Sequence, residues 1–339
     1  MNVKEILTAL AVSILVNLKG DFMSFLYWLE AHRCAFFDGF FSVITYLGDE
    51  IGFMLIALLF YWCIDKKDAY YLFAVGFFGT IVNQCVKISA RISRPWIKDP
   101  SFTVVGNAKE AAGGYSFPSG HTQNAVGTLG GAAMLSRPLW LKITLPILAL
   151  LVALSRMYLG VHTPADVLFS LGFAVVLVFA LYPLFKKARE NYKLMNIILG
   201  VFTLITVVAF IYVLVLDGDG LVGSSLEEFN ENLASARRNI AKMLGCALGL
   251  WLVYNLDEKY VHFSERATLP AQIVKMLLGI LVLLAIKEGV KLIIGTSLVA
   301  NAIRYFLIVA VAGIVYPLLF PHIQRLCDKI FSKKSNKTE

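Results

Sequence analysis

The sequence predicts an all-α polytopic membrane protein, a helical bundle of about nine spans. Hydrophobic residues make up 58% of the 339 and charged residues only 16%, with a mean hydropathy of +0.71, whereas a soluble domain carries about a quarter charged residues. The charge deficit runs the length of the chain rather than sitting in one tail. Several apolar runs reach the roughly 17–25 residues a helix needs to cross a bilayer. They do not alternate apolar with polar, as the strands of a membrane barrel do.

Taken in order, residues 1–47 read as an interfacial, amphipathic region. The apolar run 5–18 is short, Lys19, Asp21 and Glu30 follow it, and no small-residue cleavage site marks a removable signal peptide. Residues 24–47 either lie on the membrane or form part of a further span. Spans are expected at 48–64, 68–87, 119–136, 140–158, 164–185 and 194–216, which together make a core over 48–216. Three more, at 238–256, 270–290 and 299–320, make an extra C-terminal transmembrane region over 237–322. Between them, 88–118 holds Pro95, Pro100, Gly106, Gly113, Gly114 and Pro118 and reads as a loop. Residues 217–236 read as an acidic loop with Asp217, Asp219, Glu227, Glu228 and Glu231, and 323–339 as a basic tail.

Charge sets the expected orientation. One face receives Lys66 and Lys67, Arg137 and Lys142, the basic cluster at 186–193 and the tail; the other receives 88–118 and 217–236. Basic loops stay in the cytoplasm, so the C-terminus is expected there and the loops 88–118 and 217–236 outside. The formal charge of +8 fits anionic headgroups, and no aromatic-basic stripe suggests nucleic acid. Cys34, Cys63, Cys85, Cys246 and Cys327 lack metal-ligand spacing and imply no disulfide framework.

Three short motifs lie at span ends on the outer face. Lys87-Ile-Ser-Ala-Arg91-Ile-Ser-Arg94-Pro95 places Lys87 and Arg94 two helical turns apart, with Arg91 between them on the same face if the helix continues. Arginine suits an oxyanion because its planar fork binds two oxygens; the plain alternative is cations snorkelling at a membrane edge. Pro118-Ser119-Gly120-His121 opens a span. There a helix N-terminus attracts an anion, Ser119 can cap, Gly120 allows close approach, and His121 can hand over a proton. Arg156 ends a span, and after a turn with Gly160 come His162, Thr163, Pro164 and Asp166. A carboxylate four residues after His162 can fix its tautomer and leave the other ring nitrogen free to attack.

Together these motifs resemble the type 2 phosphatidate phosphatase superfamily, whose pattern is K-x6-RP, then PSGH, then SR-x5-H-x3-D. The resemblance covers roughly residues 40–190. It implies a six-helix-type phosphatase core, with His162 as the nucleophile that forms a phosphohistidine and Asp166 as its orienting partner. His121 would be the acid for the leaving group and then the base for water. Lys87, Arg94 and Arg156, helped by Ser119 and Gly120, would hold the phosphate, with no metal and no cofactor. The expected activity is hydrolysis of a lipid phosphate or lipid pyrophosphate, such as phosphatidate or undecaprenyl pyrophosphate. A phosphotransferase acting on a lipid or sugar hydroxyl is the alternative, and a non-catalytic lipid-phosphate transporter or scaffold a third reading. Expected partners are the lipid phosphate, membrane lipids and, as a candidate, a second copy of the chain.

Outside the motifs, Arg237 and Arg238 are expected to begin a span, Lys287 to end one beside Glu288, and Arg304 to begin the next. With Arg91 they are secondary candidates for a headgroup, a pyrophosphate or a partner subunit, against Lys287–Glu288 pairing and plain edge snorkelling. Asp217-Gly-Asp-Gly220 lacks the other ligands of a calcium loop and reads as a turn.

Overall fold

The computed structural model describes the backbone of residues 19–217 and 225–335, and side chains at 22–217 and 225–330. The expected interfacial stretch 1–18, the Gly218–Gly220 part of the turn and Lys337 of the tail lie outside the described residues.

Every regular element among the described residues is helical. In order they are α1 (Lys19–Ala31), α2 (Ala35–Ile44), α3 (Glu50–Leu59), α4 (Lys66–Ala90), α5 (Pro95–Lys98), α6 (Ala108–Ala111), α7 (Gly120–Leu135), α8 (Leu139–Tyr158), α9 (Pro164–Ala188), α10 (Tyr192–Val215), α11 (Leu226–Leu256), α12 (Leu269–Ile294), α13 (Leu298–Ala310) and α14 (Phe320–Ser335). Among the described residues, seven helices are long and apolar enough to cross a membrane, and an eighth if the bent pair Ala35–Gly48 and Glu50–Ile64 is one broken span, against about nine expected; α7, at the expected span 119–136, is not among the seven. The chain is a multi-pass membrane protein.

Two further expectations need correcting. The span expected at 48–64 is the second limb of that pair, bent by 54°. Asp49 breaks it, because its backbone is extended (φ −81°, ψ 166°) and its carboxylate accepts the Glu50 N–H at 2.9 Å. The acidic stretch 217–236 is helical from Leu226. Ser225 Oγ accepts the Glu228 N–H at 3.1 Å, and Glu227 and Glu228 favour the positive N-terminus of α11.

The described chain divides into two compact units. One joins the part up to Leu55 with Leu72–Pro183 and Val213–Ala236; the other joins Ile56–Tyr71, Leu184–Tyr212 and the part from Arg237 on. In the first, α7 packs along α8 and α4 through small residues. A methyl added at Gly127 would sit 3.0 Å from Val75, and one at Gly48 only 2.7 Å from the His121 carbonyl. Leu26, Leu29, Phe41, Phe102, Tyr158, Leu159 and Val161 form a buried cluster behind the turn after α8. Arg33 ties that turn down, donating to Tyr158 O at 3.1 Å and Thr103 O at 3.1 Å, while Tyr158 donates its hydroxyl to Asp38 at 2.8 Å. Gly160 occupies the left-handed region (φ +83°), and a methyl there would meet Thr103 O, Phe102 and Arg33 at 2.9 Å each. Gly160→Ala is therefore expected to destabilise the protein by about 1–3 kcal/mol. A thermal scan in detergent should show a lowered midpoint; an unchanged midpoint refutes this.

In the second unit, α11 and α13 meet at Gly245, where a methyl would lie 2.1 Å from Ala302 O. Lys275 of α12 is buried, with its ammonium on Trp62 O (2.8 Å) and Glu265 O (3.0 Å) and 4.4 Å from the Phe320 ring centre. Lys66 pairs with Asp257 at 2.7 Å, and Arg189 pairs with Asp65 and Asp68. These cations have structural partners.

Candidate active site

The three motifs come together in the first unit. The first starts at the end of α4, where Lys87 is buried and its ammonium donates to Tyr115 O at 2.6 Å. A shared face for Lys87, Arg91 and Arg94 requires the helix to continue to Arg94. It stops at Ala90, Arg91 adopts a left-handed φ of +53°, and Arg94 is extended (ψ 155°) as the residue before α5. Pro95 accounts for the extended Arg94, since a proline disfavours the helical region for its predecessor; the left-handed Arg91 ends the helix before that. Arg91 instead lays its guanidinium over the Phe229 ring, 4.5 Å from the centre, and its Nε donates to Ile88 O at 3.3 Å. It is not among the cations that surround His162, which are Arg94, Lys87 and Arg156.

Arg94 is buried and held on several sides. Its Nε donates to Gly114 O (3.0 Å), Nη2 to Gly113 O (2.8 Å) and Nη1 to Val161 O (2.8 Å). Nη1 also lies 3.0 Å from His162 Nε2. The loop 113–116 is pinned to the same place by the Ser116 N–H, which donates to Ile92 O at 2.7 Å. Backbone carbonyls fix the guanidinium in this way, a contribution with no side-chain signature in the sequence.

The second motif caps α7. Ser119 is fully buried, its Oγ accepts the Thr122 hydroxyl at 2.9 Å, and its own N–H donates to Asp166 O at 3.1 Å. Gly120 opens the helix beside Asn83, and His121 follows, half-buried. Arg156, Arg94 and Lys87 all lie within electrostatic range of His121.

The third motif places Arg156 in the last turn of α8, buried, with Nη1 donating to Thr45 Oγ1 at 2.7 Å. Among the described residues its Nε has no partner. His162 sits in the turn before α9, and its Nδ1 lies 3.5 Å from Asp166 Oδ2. That carboxylate oxygen accepts the Ser116 hydroxyl (2.6 Å) and the Thr163 N–H (2.7 Å). Burial, with Arg94, Lys87, Arg156 and His121 around it, holds the His162 imidazole well below the ordinary histidine range. It is therefore neutral near pH 7, and its Nε2 faces the Arg94 guanidinium.

The secondary candidates are scattered. Arg237 (half-buried) and Arg238 (exposed) lie inside α11 rather than at its start, because that helix begins at Leu226. Lys287 is half-buried in α12, and Glu288 pairs with Lys291 at 3.8 Å rather than with Lys287. Arg304 is buried in α13, two turns in. Thr45, Ser116, Tyr115 and the Arg33–Tyr158–Asp38 set support the site without having been singled out from the sequence.

Two family models match the chain. The model for the PAP2 superfamily matches residues 67–190, and the model for the PAP2 superfamily phosphatase transmembrane extension matches 241–327. The chain belongs to the PAP2 superfamily. Among its PAP2 relatives, undecaprenyl-diphosphatase BcrC of Bacillus subtilis (strain 168) is 31% identical over 118 residues, 35% of this chain and 58% of that protein. Sphingosine-1-phosphate phosphatase 1 of Mus musculus is 22% identical over 271 residues, 74% of this chain and 59% of that protein. Lipid A 4'-phosphatase of Porphyromonas gingivalis is 28% identical over 166 residues, 46% of this chain and 69% of that protein. The chain thus spans under three fifths of the length of the first two. No solved structure matches it.

Proposed function

We propose that this PAP2 member hydrolyses a lipid phosphate or lipid pyrophosphate without a metal, through a phosphohistidine on His162, at the outer membrane surface. The observation that carries the reading is the setting of His162. Its Nε2 lies against the Arg94 guanidinium at 3.0 Å, and its Nδ1 is turned toward a carboxylate. A nucleophile, an oxyanion partner and an orienting group thus stand in one row. The relatives named above, phosphatases of lipid-borne phosphates by their names, support the substrate class. The basic loops on the opposite face support the outward orientation.

In this reading the phosphate is held by Arg94, Arg156 and Lys87 with the N–H groups that open α7. The Arg156 Nε, buried without a partner among the described residues, gains one from a phosphate oxygen. His162 Nε2 attacks phosphorus and forms the P–N bond. The P–O bond to the lipid breaks, its electron pair goes to the leaving oxygen, and His121 protonates that oxygen. Water then attacks phosphorus, His121 takes its proton, and the P–N pair returns to His162. Charge on the transferring group is balanced by three cationic side chains, so the chemistry asks for no divalent ion.

The test is phosphate release by the purified full chain in detergent from phosphatidate, phosphatidylglycerol phosphate, undecaprenyl pyrophosphate and sphingosine-1-phosphate, with and without EDTA. Release from at least one, undiminished by EDTA, is expected; release from none overturns the proposal, and EDTA-sensitive release overturns its metal-free part.

A pH dependence also follows. A depressed histidine stays neutral as pH falls and protonates only once pH passes below its own value. The acidic limb of kcat/KM, which reports the free enzyme, should therefore lie below the ordinary histidine value of about 6.5. A limb at or above that value contradicts the neutral, buried nucleophile.

A further inference from the structure

The transmembrane extension holds a buried cation that nothing in the second unit neutralises among the described residues. Arg304 is only 6% exposed, and its Nε and Nη1 have no hydrogen-bond partner there. Its Nη2 donates to Asn301 Oδ1 at 2.5 Å. Asn301, itself buried, spends its amide nitrogen on Thr296 O (2.9 Å) and Ser297 O (3.0 Å). The guanidinium is thereby aimed at the first turn of α13, where Ser297 Oγ accepts the Ala300 N–H at 3.2 Å. A second cation stands nearby on α11. Lys242 is half-buried, and its ammonium and the Arg304 guanidinium each lie 5.6 Å from the Tyr305 ring centre. The close approach of α11 to α13 at Gly245 keeps the two on adjoining helices.

A buried arginine with unused donors carries a desolvation cost that only an anion or an acceptor offsets. Arg304 makes no ion pair with any described carboxylate, and the one acceptor it has is a neutral amide. A helix N-terminus beneath it adds positive potential. Two cations and a helix start form a setting for a multiply charged oxyanion. The last turn of α12, which leads into α13, lies at the same end, with Leu292 86% and Ile293 83% exposed. Such apolar side chains at the same end as the two cations suit a phosphate that arrives on a lipid.

We propose that Arg304, Lys242 and Asn301 form a second phosphate-binding site, built from residues of the transmembrane extension that the His162 clamp does not use. Its ligand is a phosphate group, presented by an anionic lipid headgroup or by free phosphate. The site performs no chemistry: no histidine or carboxylate among the residues named touches it.

The test is native mass spectrometry of the purified full chain, titrated in separate arms with inorganic phosphate and with dioleoyl-phosphatidylglycerol. Arg94→Gln serves as the control for the clamp. In at least one arm, an adduct that survives Arg94→Gln should weaken about tenfold in Arg304→Gln, as expected for loss of a charge-assisted contact, and weaken in the same direction in Lys242→Gln. Dependence confined to phosphatidylglycerol identifies a headgroup site; dependence confined to inorganic phosphate identifies a soluble-ion site. Adducts in both arms that are indifferent to Arg304→Gln overturn the proposal. Should that variant not fold, unchanged adducts in Lys242→Gln overturn it equally.

Discussion

His162→Ala should reduce phosphate release on the order of 10⁴-fold or more, the scale seen when a covalent nucleophile is removed from a concerted site. The protein should remain folded and should still bind phosphate. The reason lies in how Arg94 is held. Removing the imidazole takes away one neighbour of Nη1, but Val161 O remains on that nitrogen, and the Gly113 and Gly114 carbonyls keep Nη2 and Nε in place. The Ser119 cap and the Thr163–Asp166 contacts do not involve the His162 ring. On the proposed reading, the phosphate clamp is thus preformed without the His162 ring. Phosphate release by the His162→Ala enzyme, measured beside its thermal midpoint and its affinity for inorganic phosphate, checks this. A folded variant that retains more than about one hundredth of wild-type release would remove His162 from the nucleophile's role. A variant that loses phosphate binding as well would mean that the ring, rather than the carbonyl cage, organises the clamp.

The parts of this arrangement that could be read from the sequence are those written in side chains at short range. The apolar runs foretell α8 to α13 because a bilayer demands length and hydropathy, and both are local properties. His162 and Asp166 are one helical turn apart, so their pairing is legible from spacing alone. The extended Arg94 was legible in principle, since Pro95 follows it, but the spacing of four and then three residues between Lys87, Arg91 and Arg94 fits a continuous helical face. The start of α11 was also legible: Ser225 and Glu228 form a cap signal, hidden among acidic residues that suggest a loop. The carbonyl cage around Arg94 was not legible, because every residue type carries the same carbonyl. Nor were the Ser116–Asp166 and Arg156–Thr45 contacts, which join residues 50 and 111 positions apart. Only the tertiary fold brings such pairs together, and neither periodicity nor composition encodes it.

Asp166→Asn should lower kcat by about 10²–10⁴-fold while leaving KM within a few-fold of wild type. Asp166 has two possible roles, and this substitution separates them. The first is structural. Asp166 Oδ2 accepts the Thr163 N–H at 2.7 Å, and the Thr163 hydroxyl oxygen accepts the Asp166 N–H at 3.4 Å, a reciprocal cap at the start of α9. Asparagine serves such a cap nearly as well as aspartate, because its amide oxygen can replace Oδ2 toward Thr163 and Ser116. The second role is electrostatic. In the proposed mechanism the ring becomes cationic when His162 Nε2 bonds to phosphorus, in a place already crowded by Arg94, Lys87 and Arg156. A carboxylate 3.5 Å from Nδ1 stabilises that charge as it develops; a neutral amide does not. The ground-state complex, in which the ring is neutral, depends on it far less, so the loss should fall on kcat. Steady-state kinetics on the best substrate of the lipid panel decide between the roles. A kcat within a few-fold of wild type would mean that Asp166 only caps a helix, and that the nucleophile is oriented by the Arg94 contact alone.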